Sequence, residues 1–195
     1  MTDLILASAS PRRKELLEQI AVQFSCLAMN INEDRHPQEA SLRYVQRLAQ
    51  EKALAALPQA HGLPVLGSDT IVVLGDKVLG KPKDKHEAKQ MLQMLSGQSH
   101  NVITSISLCR KVNGEPRILN DVVTTQVTFD TLSSEQIAAY VKTGESLDKA
   151  GGYGIQGKAA VFIKNIQGSY SNVVGLPLHE TSKLLMAFDV PVWTD

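Results

Sequence analysis

Strand-like and helix-like segments alternate along this chain of 195 residues, and the alternation limits the folds that it can adopt. Apolar runs such as 4–7 predict strands, and apolar residues spaced three and four apart, as in 39–57, predict helices. Gly75 and Asp76 are typical of a two-residue hairpin turn, which makes the strands on either side antiparallel. We therefore predict a mixed, twisted α/β sheet with flanking helices. The predicted strands are 4–8, 22–27, 65–74, 77–79, 102–112, 118–129 and 159–166, and the predicted helices are 11–19, 39–57, 84–95, 133–142 and 177–188.

Length and charge exclude several classes of protein. The length fits a single domain over 1–195, either undivided or with two lobes around a cleft. The 20 basic and 20 acidic residues give a formal net charge of zero, which argues against a large nucleic-acid-binding or membrane-binding surface. The N-terminus does not resemble a signal peptide, and no apolar segment is long enough to span a membrane. Cys26 and Cys109 indicate neither a metal site nor a disulfide framework, so the cytoplasm is the simplest setting.

The segment from Ser8 to Lys14 combines a helix start with an unusual charge pattern. Ser10 is a good N-cap, and Pro11 is well placed at the first helical position. The next three residues are cationic, and each unpaired cation at this positive helix end costs on the order of 0.3–1 kcal/mol. A bound anion would remove the conflict, because it would meet free N–H groups, hydroxyls and cations. The segment predicts a phosphate-binding turn, or else an ordinary capped helix with a solvated basic face, and it is not a Walker A loop.

Two charged residues fall among apolar neighbours. Asp69 lies in the predicted strand 65–74, where an ionised carboxylate is costly unless it is paired, hydrogen-bonded or bound to a metal. Gly67, two residues earlier, leaves room for close approach on one side of that strand. Lys52 lies on or beside the apolar stripe of the predicted helix 39–57. Its side chain either extends to solvent along the edge of the stripe or points into a cleft.

Glu33, in a polar loop, and Lys81, after the predicted hairpin, complete a set of two carboxylates and several cations. This set is what metal-assisted hydrolysis of a phosphate ester requires. Carboxylates hold a divalent cation, Mg²⁺ or Mn²⁺, and activate water, while Arg and Lys bind the phosphates. A nucleotide-binding regulator would need only the cations. A phosphatase, a nucleotidyltransferase and a small interaction module are further alternatives.

The stretch Gly152–Gly157 matches the pattern G-x-G-x-x-G. A dinucleotide-binding fingerprint needs a strand before the glycines and a helix after them. Here a polar stretch, 143–149, comes before and a predicted strand comes after, so we reject that function. We expect these glycines to let the backbone pass close to a ligand or to another strand.

Eight short motifs, in this order along the chain, resemble those of the Maf family of nucleotide pyrophosphatases. Each motif is weak alone, but together they span nearly the whole chain and are specific. They are LASASPRR (6–13), RLAQEKA (47–53), GSDT (67–70), GKP (80–82), LSG (95–97), DKAG (148–151), YGIQG (153–157) and VGLPL (174–178).

The resemblance implies a mixed α/β fold with two lobes around a deep cleft, often dimeric and similar in shape to the inosine triphosphate pyrophosphatases. It implies hydrolysis of a nucleoside triphosphate to the monophosphate and pyrophosphate, with Mg²⁺ or Mn²⁺. It also implies site residues. Asp69 would be the general base, Glu33 and Asp69 the carboxylates of the metal and water site, and the phosphates would contact Ser8, Ser10, Arg13, Lys52 and Lys81.

Members of the family differ at the positions of Arg12, Thr70 and Gln156. The combination Arg, Thr, Gln resembles members that act on dTTP and UTP, whereas a branch that acts on 7-methyl-GTP carries Trp in place of Arg12. The resemblance therefore implies pyrimidine triphosphates, including modified bases, as substrates, with Thr70 and Gln156 at the base edge. A housecleaning role follows, and the alternative is a regulator of cell division or septum formation without essential catalysis.

Overall fold

A computed structural model describes residues 2–193 of the chain. Within that range seven strands form one mixed sheet in the order β2-β1-β3-β5-β6-β7, with β4 paired to β3. The strands are β1 (Leu4–Leu6), β2 (Phe24–Cys26), β3 (Val65–Leu74), β4 (Lys77–Leu79), β5 (Ser99–Val112), β6 (Glu115–Phe129) and β7 (Ile163–Gln167). The helices are α1 (Pro11–Gln19), α2 (Ser41–Ala56), α3 (Lys85–Leu95), α4 (Ser134–Lys142), α5 (Tyr170–Val174) and α6 (Leu178–Ala187).

The chain forms two compact units. The first unit takes the described residues of Met1–Asp69, Thr104–Val123 and Gly175–Asp195, and the second takes Thr70–Ile103 and Thr124–Val174. The divisions fall inside β3, β5 and β6, so each of these strands contributes residues to both units.

The first unit is built around the parallel strand β1. This strand pairs with β2 on one side, with Leu4 opposite Phe24, and with β3 on the other, with Ile5 opposite Val65. All three residues of β1 are buried, as an uninterrupted apolar run predicts for a strand with both faces covered. Small residues on α2 complete part of this core, which includes Ile5, Ala7, Ala53, Ala56, Leu57, Ala60, Val65 and Cys109.

The second unit contains the hairpin β3–β4, with Val72 opposite Leu79, and the antiparallel pair β6–β7. Its core is rich in aromatic rings that meet edge to face, among them Phe129, Tyr153 and Phe162. At the start of α4, the Ser133 hydroxyl accepts the Gln136 N–H and the Gln136 side chain accepts the Ser133 N–H, so the capping box is formed.

The mixed α/β fold class is confirmed, and most elements lie within two or three residues of their predicted bounds. The strand predicted at 159–166 is wrong over its first half, because Lys158–Phe162 is a 3₁₀ turn and β7 begins at Ile163. Ala159 and Phe162 are buried while Val161 is 82% exposed, which is the three-residue period of a 3₁₀ turn and not the period of a strand. The short helix α5 was not predicted. None of the described helices combines the length and the apolarity needed to cross a membrane.

Candidate active site

Three charged side chains of the first unit meet at Lys52. The Lys52 ammonium group lies 2.7 Å from Asp69 Oδ1 and 2.8 Å from Glu33 Oε1. The side chains of Lys52 and Asp69 are each 12% exposed, and that of Glu33 is 54% exposed. Lys52 therefore does not extend to solvent along the helix edge, and Asp69 obtains the pairing that its apolar surroundings demand.

Gly67 explains how Lys52 reaches Asp69. A Cβ atom added at Gly67 would lie 2.7 Å from the Ala53 nitrogen and still closer to the Ala49 oxygen, so only a glycine allows α2 to lie this near β3. Ala49 and Ala53 are fully buried in that contact. The close approach places Lys52, next to Ala53 on α2, beside Asp69, two residues after Gly67 on β3.

The start of α1 is held by hydrogen bonds to Ser8, in the turn before it, and to the Gly175 carbonyl. The Arg13 Nε–H donates to the Gly175 carbonyl at 2.8 Å, and Arg13 Nη1 donates to Ser8 Oγ at 3.2 Å. The Ser68 hydroxyl donates to the same Gly175 carbonyl at 3.2 Å. Arg13 is thus oriented by the backbone just before α6 and by a buried serine, while the first turn of α1 contains no acidic residue.

Electrostatic effects connect this turn with the three charges at Lys52. Burial lowers the pKa of the Arg13 guanidinium, and the nearby Asp69 and Glu33 carboxylates oppose that shift. Burial also raises the pKa of Tyr44, and the same two carboxylates raise it further. Arg13, Lys52, Glu33 and Asp69 therefore form one charged site in the first unit.

One prediction for this segment needs adjustment, the capping role of Ser10. Ser10 occupies the N-cap position of α1, but its side chain makes no capping hydrogen bond; its N–H donates instead to Ser8 Oγ at 3.2 Å. Lys14 lies at the surface, where it pairs with Glu18 at 3.7 Å. Arg12 is partly exposed in the first turn of α1.

The carboxylates suit a metal held together with a substrate. Among residues 2–193 no group of three or more His, Cys, Asp or Glu side chains is placed to hold a metal ion. Glu33 and Asp69 nevertheless bring two carboxylate oxygens to one ammonium group, so the site provides the hard oxygen donors that Mg²⁺ and Mn²⁺ prefer. Mg²⁺ in phosphate-processing sites is commonly bound by one or two carboxylates plus substrate phosphates, and this donor set fits that pattern.

The other predicted site residues belong to the second unit. Thr70 is the first residue of that unit, on β3, and Lys81 is exposed between β4 and α3. The Gly151 N–H donates to the carbonyl of Gly80, next to Lys81, at 3.0 Å, which joins that segment to the glycine-rich stretch. Gln156 is exposed within the same stretch.

The glycines near Gln156 make room for charged side chains. A Cβ atom at Gly157 would clash with the Glu145 carboxylate, and one at Gly154 would lie 2.6 Å from Lys149 Cε. Glu145 Oε2 accepts the Lys158 N–H at 3.0 Å. The segment between α4 and the Ala150–Gly152 turn contains no strand. A dinucleotide-binding motif needs a strand just before its glycines, so this segment does not have that arrangement.

Sequence reasoning missed four residues that shape the site of the first unit. Ser68 and Gly175 lie inside the GSDT and VGLPL motifs, but nothing in the sequence indicated that the Gly175 carbonyl orients Arg13. Tyr44 and Arg47 contact the loop that carries Glu33 through its backbone carbonyls. Backbone acceptors have no signature in a sequence, so these contacts could not be predicted.

Comparison with known proteins finds relatives along nearly the whole chain. A family model described as "Maf-like protein" matches residues 3–188. The chain is 54% identical over 190 residues to a dTTP/UTP pyrophosphatase of Shigella sonnei (strain Ss046), covering 97% of this chain and 94% of the relative. With the same coverage, it is 53% identical to a dTTP/UTP pyrophosphatase of Escherichia coli (strain K12) and to a nucleoside triphosphate pyrophosphatase of Shigella flexneri.

Proposed function

The chain belongs to the Maf family, and from that membership we propose that it hydrolyses dTTP and UTP to the monophosphate and pyrophosphate. The proposal includes modified pyrimidine triphosphates, and with them a housecleaning role that keeps non-standard nucleotides out of nucleic acids. The names of relatives more than 50% identical over nearly the full length support this activity.

The observation that carries the proposal is the pairing of two carboxylates with one lysine beside a cationic helix start. Asp69 and Glu33 share the Lys52 ammonium group, and Arg13 lies in the field of both carboxylates. A protein that only bound nucleotides would need the cations, whereas a buried carboxylate is costly and serves to activate water.

In this mechanism the triphosphate lies against the N-terminus of α1, where the positive end of the helix dipole and the Arg13 guanidinium meet its negative charge. Asp69 accepts a proton from a water molecule as the water oxygen bonds to the α-phosphorus. The bond from the α-phosphorus to the bridging oxygen then breaks, and pyrophosphate leaves with that oxygen and its electron pair. Lys52 keeps Asp69 oriented through their 2.7 Å ion pair and neutralises phosphate charge.

A divalent cation would be held by Glu33 and Asp69 together with phosphate oxygens, and when bound it supplies charge neutralisation at the phosphates. Ser8 and Ser10 would donate hydrogen bonds to phosphate oxygens. In the second unit, Lys81 is assigned to the phosphates, and Thr70 and Gln156 are assigned to the base. Arg12 is assigned to substrate selection.

The same proposal covers the setting of the enzyme. We assign 1–195 to one catalytic domain that forms a homodimer in the cytoplasm. Both cysteines support a reducing compartment, since exposed Cys26 and buried Cys109 are free thiols.

The test is release of pyrophosphate by the purified protein from a panel of normal and modified triphosphates with Mg²⁺ or Mn²⁺. We expect release from dTTP and UTP, and Asp69→Asn should lower turnover by about 10²–10⁴-fold, which is the usual contribution of a general base. Asp76→Asn, in the exposed β3–β4 turn, is the matched control and should retain full turnover. Absence of pyrophosphate from every pyrimidine triphosphate would refute the activity and favour the regulatory alternative.

A further inference from the structure

Glu33 lies in a segment without regular secondary structure. Strand β2 ends at Cys26 and α2 begins at Ser41, and the residues between them, all described, form neither helix nor strand. The Glu33 side chain is 54% exposed, and an ion pair this exposed contributes little by itself. The pair with Lys52 therefore cannot by itself keep this carboxylate in place, and other contacts must do so.

Two side chains of α2 supply those contacts. The Tyr44 hydroxyl donates to the Glu33 carbonyl at 2.8 Å, and Arg47 Nη2 donates to the Asp34 carbonyl at 3.0 Å. The two acceptors are consecutive carbonyls, so together they restrict the backbone on the C-terminal side of the Glu33 Cα. The same helix also carries Lys52, the ion-pair partner of the Glu33 side chain.

Arg47 is itself rigidly held. Its Nε and Nη2 donate to the two carboxylate oxygens of Glu39 at 2.8 and 2.9 Å, and the two side chains are only 19% and 11% exposed. Its guanidinium also lies over the Tyr44 ring, 5.7 Å from the centroid. The hydrogen bonds from Arg47 lower the pKa of Glu39 to about 2, so the pair stays ionised through the neutral range.

Arg47 therefore joins two points of one loop to α2. It binds the loop near its middle, at Asp34, and near its end, at Glu39. Within the loop, the His36 N–H donates to Glu39 Oε2 at 3.1 Å, and the Asp34 N–H donates to Asn32 Oδ1 at 2.9 Å. These bonds make 32–39 a compact loop whose position depends on α2.

We infer that Tyr44 and Arg47 are positioning residues that hold the Glu33 carboxylate beside Lys52 and Asp69, and that they thereby set the affinity of the site for its divalent cation. The inference rests on the proposed function for the metal role of Glu33. Outer contacts that orient metal ligands typically contribute 10–100-fold to metal affinity, which sets the size of the effect.

The experiment compares Tyr44→Phe and Arg47→Lys with the wild type. Tyr44→Phe keeps the ring next to Arg47 and removes only the hydroxyl that donates to Glu33. Arg47→Lys keeps the positive charge and removes the bidentate hydrogen bonding to Glu39. Arg43→Lys, on an exposed position of the same helix, is the matched control, and Glu33→Gln reports the contribution of the carboxylate itself.

Three quantities are measured. The first is the Mg²⁺ concentration that half-saturates dTTP hydrolysis. The second is binding of Mn²⁺ alone and with a non-hydrolysable dTTP analogue, from the electron paramagnetic resonance signal of free Mn²⁺. The third is amide hydrogen exchange of 30–40 in the metal-free protein, with α4 as the internal reference.

We expect Arg47→Lys to raise the Mg²⁺ requirement and the Mn²⁺ dissociation constant by about 10–100-fold, and Tyr44→Phe by a smaller factor. Both should accelerate exchange in 30–40, and Arg43→Lys should change none of these quantities. Faster exchange with unchanged Mn²⁺ binding would overturn the inference, because the loop contacts would then be structural only.

Failure of the proposed function would be seen in a different measurement from failure of this inference. If the wild type released no pyrophosphate, the activity would be refuted, while Mn²⁺ binding and exchange would still decide the role of Tyr44 and Arg47. If Glu33→Gln left Mn²⁺ binding unchanged, Glu33 would not be a metal ligand, and the inference would fall with that assignment.

Discussion

The Lys52 ammonium group donates a 2.7 Å hydrogen bond to Asp69 Oδ1, with only 12% of each side chain exposed. The pair joins α2 to β3 inside the first unit. It fixes the proposed general base beside a cation, and Glu33 pairs with that same cation from a third segment of the chain. The proposed catalysis and the stability of this unit therefore depend on the same contact.

Lys52→Met should destabilise the protein strongly, because it leaves the Asp69 carboxylate buried without its partner. We expect a loss of about 3 kcal/mol in the free energy of unfolding, the usual cost of breaking such a pair. Asp69→Asn added to Lys52→Met should restore part of this loss, and urea denaturation of the two single variants and the double variant measures the coupling. Lys14→Met, in an exposed pair with Glu18, is the control and should cost less than about 1 kcal/mol. Additive effects of the two substitutions would contradict the prediction.

Gly67→Ala should separate α2 from β3. The added Cβ would lie 2.7 Å from the Ala53 nitrogen, and backbone cannot move aside as a flexible side chain can. We expect a loss of about 1–3 kcal/mol in the free energy of unfolding and a fall in turnover, since Lys52 moves with α2. Gly80→Ala is the control, because a Cβ there has no neighbour within 4 Å. A Gly67→Ala variant as stable as the wild type would show that this close approach is not needed.

His100 should make the stability of the protein depend on pH. Its ring is 2% exposed and bonds the Tyr153 hydroxyl at 2.7 Å, and burial lowers its pKa to about 4. The unfolded chain, with a histidine pKa near 6.5, binds a proton between about pH 6.5 and 4 that the folded chain does not bind. The free energy of unfolding is therefore unaffected by His100 protonation above pH 6.5. It falls as the pH drops below that value, by up to about 3 kcal/mol at pH 4.

His100→Gln removes this titration. At pH 7.5 the variant should be less stable than the wild type, because it loses packing against Phe129. The difference in the free energy of unfolding should then shrink towards pH 4. Urea denaturation at several pH values gives this difference, and a constant difference would contradict the prediction.

Gln156→Ala should change the preference among bases more than the turnover of the best substrate. Gln156 is exposed in the stretch where Glu145 holds the Lys158 N–H, so its truncation removes a side chain without removing that contact. A site that hydrogen-bonds a base edge loses discrimination when the bonding group is deleted. The measurement is kcat/KM for dTTP, UTP, dCTP and GTP, with Gln90→Ala on α3 as the control. An equal loss for all four bases would contradict a role in base selection.

Local chemistry made several elements predictable. The Ser133–Gln136 capping box, the Gly75–Asp76 turn and the uninterrupted apolar strand β1 each depend on residues close together in the sequence. One local rule failed at the start of α1. Ser10 does not cap α1 with its side chain, while Ser8 Oγ accepts both the Ser10 N–H and Arg13.

The sequence by itself determined that Asp69 needs a partner, that Lys52 lies near the apolar face of a helix, and that the motifs are those of the Maf family. Charge in an apolar run and helical spacing are properties of neighbouring residues, and they are visible without a fold. Only the tertiary structure decided which cation Asp69 meets, that Gly67 lets α2 approach closely enough for it, and that Tyr44, Arg47 and the Gly175 carbonyl orient the charged residues. The physical reason is that these contacts join distant segments, often through backbone carbonyls that every residue has.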